Sequence, residues 1–199
     1  MRKNNVWTVA SYLLFSMSVA GWAGAKEDPD KVKALANPYA NDLGPADVDT
    51  TGYPKDALAG YKLLKEKCTK CHEARRPLNA QFLELKTAED VKAFKKLAGA
   101  AASDDKLYIV DAPGPDNNDN GVWKRYVKRM SSKPGCELKE SNDRKAIYTF
   151  LLHDSQVRKT GANIEKWVKH RQDLLKQFKE KNPKRYTELY EGKKEEEKK

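Results

Sequence analysis

Past its first 25 residues the chain has no apolar run long enough to cross a membrane. It has no internal repeat and no alternating apolar pattern of useful length, which leaves helices as the main structural material. Cysteine, histidine and methionine each occur only three times. Three cysteines cannot all pair within one chain, so one thiol is left over or committed to other chemistry. Met1 and Met17 fall in the N-terminal segment, which leaves Met130 as the single methionine beyond it. Negative charge is the minority: 29 Asp and Glu stand against 39 Lys and Arg, a formal net charge of +10. That balance favours an acidic partner or surface through long-range fields.

The N-terminal segment, residues 1–25, reads as a signal peptide. Arg2 and Lys3 give a positive start, Val6 to Trp22 are mainly apolar, and Ala23-Gly24-Ala25 supplies the small side chains a peptidase needs. Thr8, Ser11, Ser16 and Ser18 interrupt the apolar stretch, which is short for a spanning helix; an uncleaved anchor is the alternative. Cleavage near Ala25 would place the remainder in the periplasm, where nucleic acid is not an expected partner. Membrane association would then be transient or through a partner.

Residues 26–53 carry Pro29, Pro38, Gly44 and Pro45 and are expected to be irregular. A compact domain is expected over 54–155. Pro54 suits a helix start, followed by Ala57, Leu58, Tyr61, Leu64 and Cys68 at helical spacing. Thr87 and Asp90 have the spacing of a capping box ahead of Val91, Phe94 and Leu97. A polar loop covers 103–120, with Leu107 to Val110 as a small extended segment. A helix from about Val122 carries Trp123, Tyr126, Val127 and Met130 and stops at Pro134-Gly135. Trp123 is expected to wall a cofactor or fill the core. The next helix is expected to be capped by Ser141 or Asn142.

Residues 156–199 form a basic helical extension with a charged tail. From Val157 onward, 14 Lys and Arg face 8 Asp and Glu. Ile164, Trp167, Leu175 and Phe178 repeat at helical period. Such a helix either packs on the domain through that stripe or docks a partner protein.

One pattern carries chemistry: Cys68-Thr69-Lys70-Cys71-His72, the C-x-x-C-H attachment site of c-type haem. Thiols three positions apart on a helical turn face the same side and can add to two vinyl groups of one porphyrin. The adjacent histidine then reaches the iron. Two other readings compete. A zinc site would use Cys68, Cys71, Cys136 and a histidine, but Cys136 stands alone rather than in a second pair. A thioredoxin-type pair needs strand–helix alternation, and the surroundings here read as helical. For a second axial ligand the candidates are Met130, His153 and His170, or the position is open. Met130 sits just before a proline–glycine turn; His170, between Lys169 and Arg171, is expected to be solvated. Met130 is also compatible with a plain core role, and Cys136 with a small buried hydrophobe or a disulfide to another chain.

On these residues the chain resembles a class I c-type cytochrome over roughly Pro54 to Ser155. The haem motif, Gly60 with Leu64 ahead of Cys68, the Ile147-Tyr148-Thr149-Phe150-Leu151 segment and the stretch from Met130 to Gly135 carry the likeness. The resemblance implies an all-α, cytochrome c-like domain around one covalently bound haem c. Cys68 and Cys71 would be the thioether residues, and His72 and Met130 the axial ligands. Phe150 would pack across Gly60. In the family a proline carbonyl often orients the ligand histidine; here the nearby proline is Pro77, five residues after His72 rather than about a dozen.

The implied function is one-electron transfer between redox proteins, with no catalytic residue required. Lys67 and Lys70 would rim the working edge and meet acidic partner surfaces. A second reading makes the chain an electron-transfer subunit of a larger oxidoreductase, docked by the extension. A third, a haem enzyme or gas sensor, needs an open iron position.

Overall fold

The computed structural model describes residues 29–112 and 121–192. The expected signal peptide 1–25, the tip of the polar loop and the tail 193–199 lie outside the described residues. The protein is mostly helical. Along the chain come α1 (Pro29–Leu35), α2 (Lys55–Lys67), α3 (Arg75–Leu78), β1 (Phe82–Glu84) and α4 (Ala88–Ala98). Then follow β2 (Ile109–Asp111), α5 (Val122–Ser131), α6 (Ser141–Lys159), α7 (Ile164–Lys181) and α8 (Pro183–Tyr190). Among the described residues no helix is long and apolar enough to cross a membrane.

Local signals account for most boundaries. Thr87 Oγ1 accepts from the Asp90 N–H at 3.0 Å and Asp90 Oδ2 accepts from the Thr87 N–H at 3.0 Å, the reciprocal box its spacing predicts. α5 ends ahead of Gly135, whose φ of +72° favours glycine. α6 has Glu140 as its cap residue, one place before the expected Ser141. The described part of the expected irregular stretch, residues 29–53, is more ordered than its prolines suggest. It contains α1 and a 3-10 turn at Ala40–Leu43, closed by Asp42 accepting from the Tyr39 N–H at 2.9 Å.

α2 crosses α6 at Gly60. A Cβ there would stand 2.8 Å from the Phe150 Cβ and nearer still to the Ala146 carbonyl oxygen. Only a hydrogen fits, so the two helices approach at this point and Phe150 lies across Gly60 as expected. Tyr53, Ala57, Leu64, Trp123, Ile147 and Leu151 complete the first core around this crossing. Trp123 is core: its indole N–H donates to Ser155 Oγ at 3.0 Å.

A second core holds Leu83, Phe94, Tyr108, Trp167, Leu174 and Phe178. The two meet at a parallel ribbon pairing Phe82 with Ile109, Leu83 with Val110 and Glu84 with Asp111. Alternation along a strand sends successive side chains to opposite faces. Phe82 and Ile109 accordingly pack on the first core, Leu83 and Val110 on the second.

α6 continues without a break past the expected domain edge at 155/156. Its last residue, Lys159, is fully buried at the seam. Lys159 Nζ donates to the carbonyls of Ala80 (2.8 Å) and Phe82 (2.6 Å) and lies 5.1 Å over Trp123 and 4.5 Å over Trp167. Arg171 of α7 is equally buried; its guanidinium donates to Asn41 Oδ1 (2.6 Å) and to the carbonyls of Asn79 (2.9 Å) and Lys106 (2.8 Å). Buried donors satisfied by carbonyls cost much if a partner is removed. The extension therefore packs on the domain and is stitched into it.

Candidate functional site

α2 ends at Cys68, whose N–H still bonds the Leu64 carbonyl, and the chain tightens into a 3-10 turn over Cys68–Lys70. Thr69 Oγ1 donates to the Lys65 carbonyl at 2.6 Å and anchors that turn. The turn forms one wall of a cavity of about 670 Å³, within the ~300–1,000 Å³ typical of cofactor sites. Cys68, Cys71 and His72 line it. α5 contributes Tyr126, Val127 and Met130, and the loop after it contributes Cys136. Leu64, Ile147 and Leu151 give it an apolar floor.

The fold thus brings Met130 into the same cavity as the C-x-x-C-H turn. Neither other histidine lines it. His153 packs edge-on against Tyr53, with ring centroids 4.6 Å apart. His170, expected to be solvated, is half-buried, with Nε2 3.0 Å from Asn79 Oδ1. Burial, helped by the charges of Arg158 and Arg171, lowers the His170 pKa to about 4. The unfolded chain, with an ordinary value near ~6.5, binds more protons than the folded one between those limits. Stability conferred by neutral His170 is therefore present above about pH 6.5 and is lost as pH falls toward 4. Urea midpoints at pH 7 and pH 4.5 are expected to drop more for the wild type than for His170→Gln. Equal drops would remove His170 from the acid response.

His72 Nδ1 lies 3.0 Å from the Glu73 carbonyl oxygen. With Nδ1–H donating there, Nε2 keeps its lone pair for a metal. The sequence left open whether Pro77 supplies that partner; its carbonyl instead accepts the Ala80 N–H at 3.2 Å, and Pro77 serves as buried cavity wall. The difference follows from spacing: five residues after His72, Pro77 sits inside the short helix α3 and its carbonyl closes that turn. Burial holds the His72 pKa below the usual imidazole value, which keeps the ring neutral and able to ligate. Burial, with Cys136 and Cys71 nearby, pushes the Cys68 thiol up to about 12.

Other walls come from far along the chain and were not visible in the sequence. Tyr39 and Asn41 enter from the N-terminal segment, Leu189 and Tyr190 from α8. Arg76 joins the first of these to α3 through a two-pronged pair with Asp42, at 2.8 and 2.7 Å, and stacks 4.9 Å from the Tyr39 ring centre. The spacing of these residues carries no local signal, because their proximity is set by the packing of α7 and α8 onto the second core.

The charge of the cavity has one sign. Lys33, Lys67, Arg76, Arg129 and Lys133 line it, and among the described residues no Asp or Glu does. The Tyr126 hydroxyl is buried there with no hydrogen-bond partner in the protein. Among the described residues no three His, Cys, Asp or Glu side chains converge as a metal-holding group. The chain matches no protein-family model, no curated protein and no solved structure.

Proposed function

We propose that the protein is a monohaem c-type cytochrome, an exported one-electron carrier working between periplasmic redox proteins. The observation that carries this reading is the entry of Met130, from α5, into the cavity walled by Cys68, Cys71 and His72. The cavity also fits the group in chemistry. An apolar floor suits a porphyrin body, and an all-cationic rim with a buried unpartnered phenol suits its two carboxylates.

Bound there, haem c supplies an iron that gains and loses one electron. Cys68 and Cys71 would hold it by thioether bonds, so that affinity does not depend on the size of the cavity. His72 would ligate through Nε2, its ring fixed by the Glu73 carbonyl. Met130 would supply a weakly donating thioether, which favours the reduced state and leaves no position open for substrate. No acid, base or nucleophile is needed. Lys67, Arg129 and Lys133 at the cavity favour an acidic partner surface.

The packing of the extension bears on the second reading. Trp167, Leu175 and Phe178, the stripe that a docking helix would offer, are buried in the chain's own second core. That supports a self-contained carrier over a subunit held by a free docking arm.

The test is the visible and near-infrared spectrum of the purified holoprotein. Haem c with the weak near-infrared band of methionine-ligated iron is the expected result. Met130→Ala is expected to abolish that band, admit carbon monoxide and lower the potential by on the order of 100 mV, a modest part of the ~0.8 V over which axial ligands act. An unchanged spectrum and potential in the variant would sink the Met130 assignment, and a chain without covalent haem would sink the whole reading.

A further inference from the structure

The cavity contains a third thiol that haem attachment does not use. We propose that, in the chain awaiting its cofactor, Cys136 and Cys68 form a disulfide that withholds Cys68 from attachment; the withholding rests on the haem reading above. Cys68 and Cys136 line the same cavity and both pack against the first core. Neither is in a disulfide in this structure. Their flanking residues are joined: Lys67 Nζ lies 3.9 Å from Glu137 Oε2, which holds the end of α2 beside the loop that carries Cys136. That loop is turned toward the cavity by Gly135, at φ +72°, and by the Cys136 N–H donating to the Lys133 carbonyl at 3.1 Å. Burial first, and then the neighbouring Cys136 and Cys71 thiols, raise the pKa of the Cys68 thiol.

The chemistry balances with a disulfide oxidant, such as oxidised glutathione or a protein disulfide. The Cys68 and Cys136 thiols lose one proton each and two electrons, an S–S bond forms between them, and the oxidant leaves as two thiols. A dithiol reductant returns the electrons and protons and frees Cys68. Its S–H can then add across a vinyl group, the proton going to carbon and the sulfur forming the thioether. Cys136 stays behind as a thiol beside the finished site. Attachment would therefore require reduction first, and the partner released would be Cys136 rather than the neighbouring Cys71.

The full-length chain, produced without haem, tests this after equilibration with oxidised glutathione, acid quenching and alkylation. Trypsin separates the three cysteines into peptides 68–70, 71–75 and 130–139, so mass spectrometry reads each pairing directly. The expected product links 68–70 to 130–139, in excess over the 68–70 to 71–75 link by about tenfold, equivalent to about 30 mV in a two-electron couple. Cys136→Ser is expected to lose that link and to accept covalent haem at a milder reductant poise than the wild type, because only the weaker Cys68–Cys71 pair is left to reduce. A dominant 68–70 to 71–75 link, or a wild type that loads equally well with and without reductant, would overturn the proposal. The disulfide map is read without haem, so it is judged apart from the cofactor reading. Failure of both proteins to bind haem covalently under reducing conditions would overturn that reading and the withholding with it.

Discussion

A chain ended at Gly161 is expected to lose its cooperative thermal transition, even though the stretch resembling a cytochrome domain stays intact. α7 and α8 supply Trp167, Leu174, Leu175, Phe178 and Tyr186 to the second core. Each large apolar side chain is worth about 1.5–3 kcal/mol when buried, so the five together contribute about 10 kcal/mol. That is comparable with the whole stability of a typical domain, about 5–15 kcal/mol. Truncation also bares Leu83, Phe94 and Tyr108 and removes Arg171 from the carbonyls of Asn79 and Lys106. Lys159 would lose the Trp167 face while remaining committed to the carbonyls of Ala80 and Phe82. The cavity would lose the Leu189 and Tyr190 wall. Circular dichroism melting of the two chains is the measurement. A truncated chain that melts like the full one would restore the extension to the role of a detachable docking arm.

Gly60→Ala is expected to destabilise the protein by about 2 kcal/mol or more, a loss of roughly 4–8 °C in melting temperature. Alanine is ordinarily the better helix former, by about 1 kcal/mol. Here the added methyl meets the Ala146 carbonyl oxygen and, at 2.8 Å, the Phe150 Cβ. Overpacking costs about 1–3 kcal/mol and occasionally more, and a clash with backbone cannot be relieved by a rotamer change. α2 and α6 must separate, which carries Cys68 at the end of α2 away from the α5 wall. On the proposed haem reading, weakening of the near-infrared band is expected alongside the fall in stability. Ala146→Gly as a second change is not expected to rescue, because the obstruction is the carbonyl rather than the methyl. A Gly60→Ala protein as stable as the wild type would refute the tight crossing.

The helices were legible where short-range rules suffice. Pro54, the Thr87–Asp90 box and the Pro134-Gly135 stop each act through a few neighbouring residues, and the element boundaries follow them closely. The paired strands were legible only in part. Leu107 to Val110 read as extended, but Phe82–Glu84 gave no signal, because three residues form a strand only when a partner across the chain accepts their backbone groups. His170 was misread for a related reason. Its neighbours Lys169 and Arg171 suggest solvent, yet Arg171 points into the seam between the cores and carries His170 toward Asn79.

By itself the sequence determined the chemistry-bearing turn, since C-x-x-C-H places two thiols and an imidazole by local geometry alone. It also restricted the methionine beyond residue 25 to one residue, and its family resemblance implied Gly60 and Phe150 as a crossing pair. The tertiary structure alone decided that Met130 and Cys136 share a cavity with that turn, and that among the described residues every ionisable group lining it other than Cys, His and Tyr is a cation. It decided, too, that the basic extension is half of a second core rather than a free arm. These are contacts between segments tens of residues apart. They depend on the shape and burial of whole helices, which no window of neighbouring residues encodes.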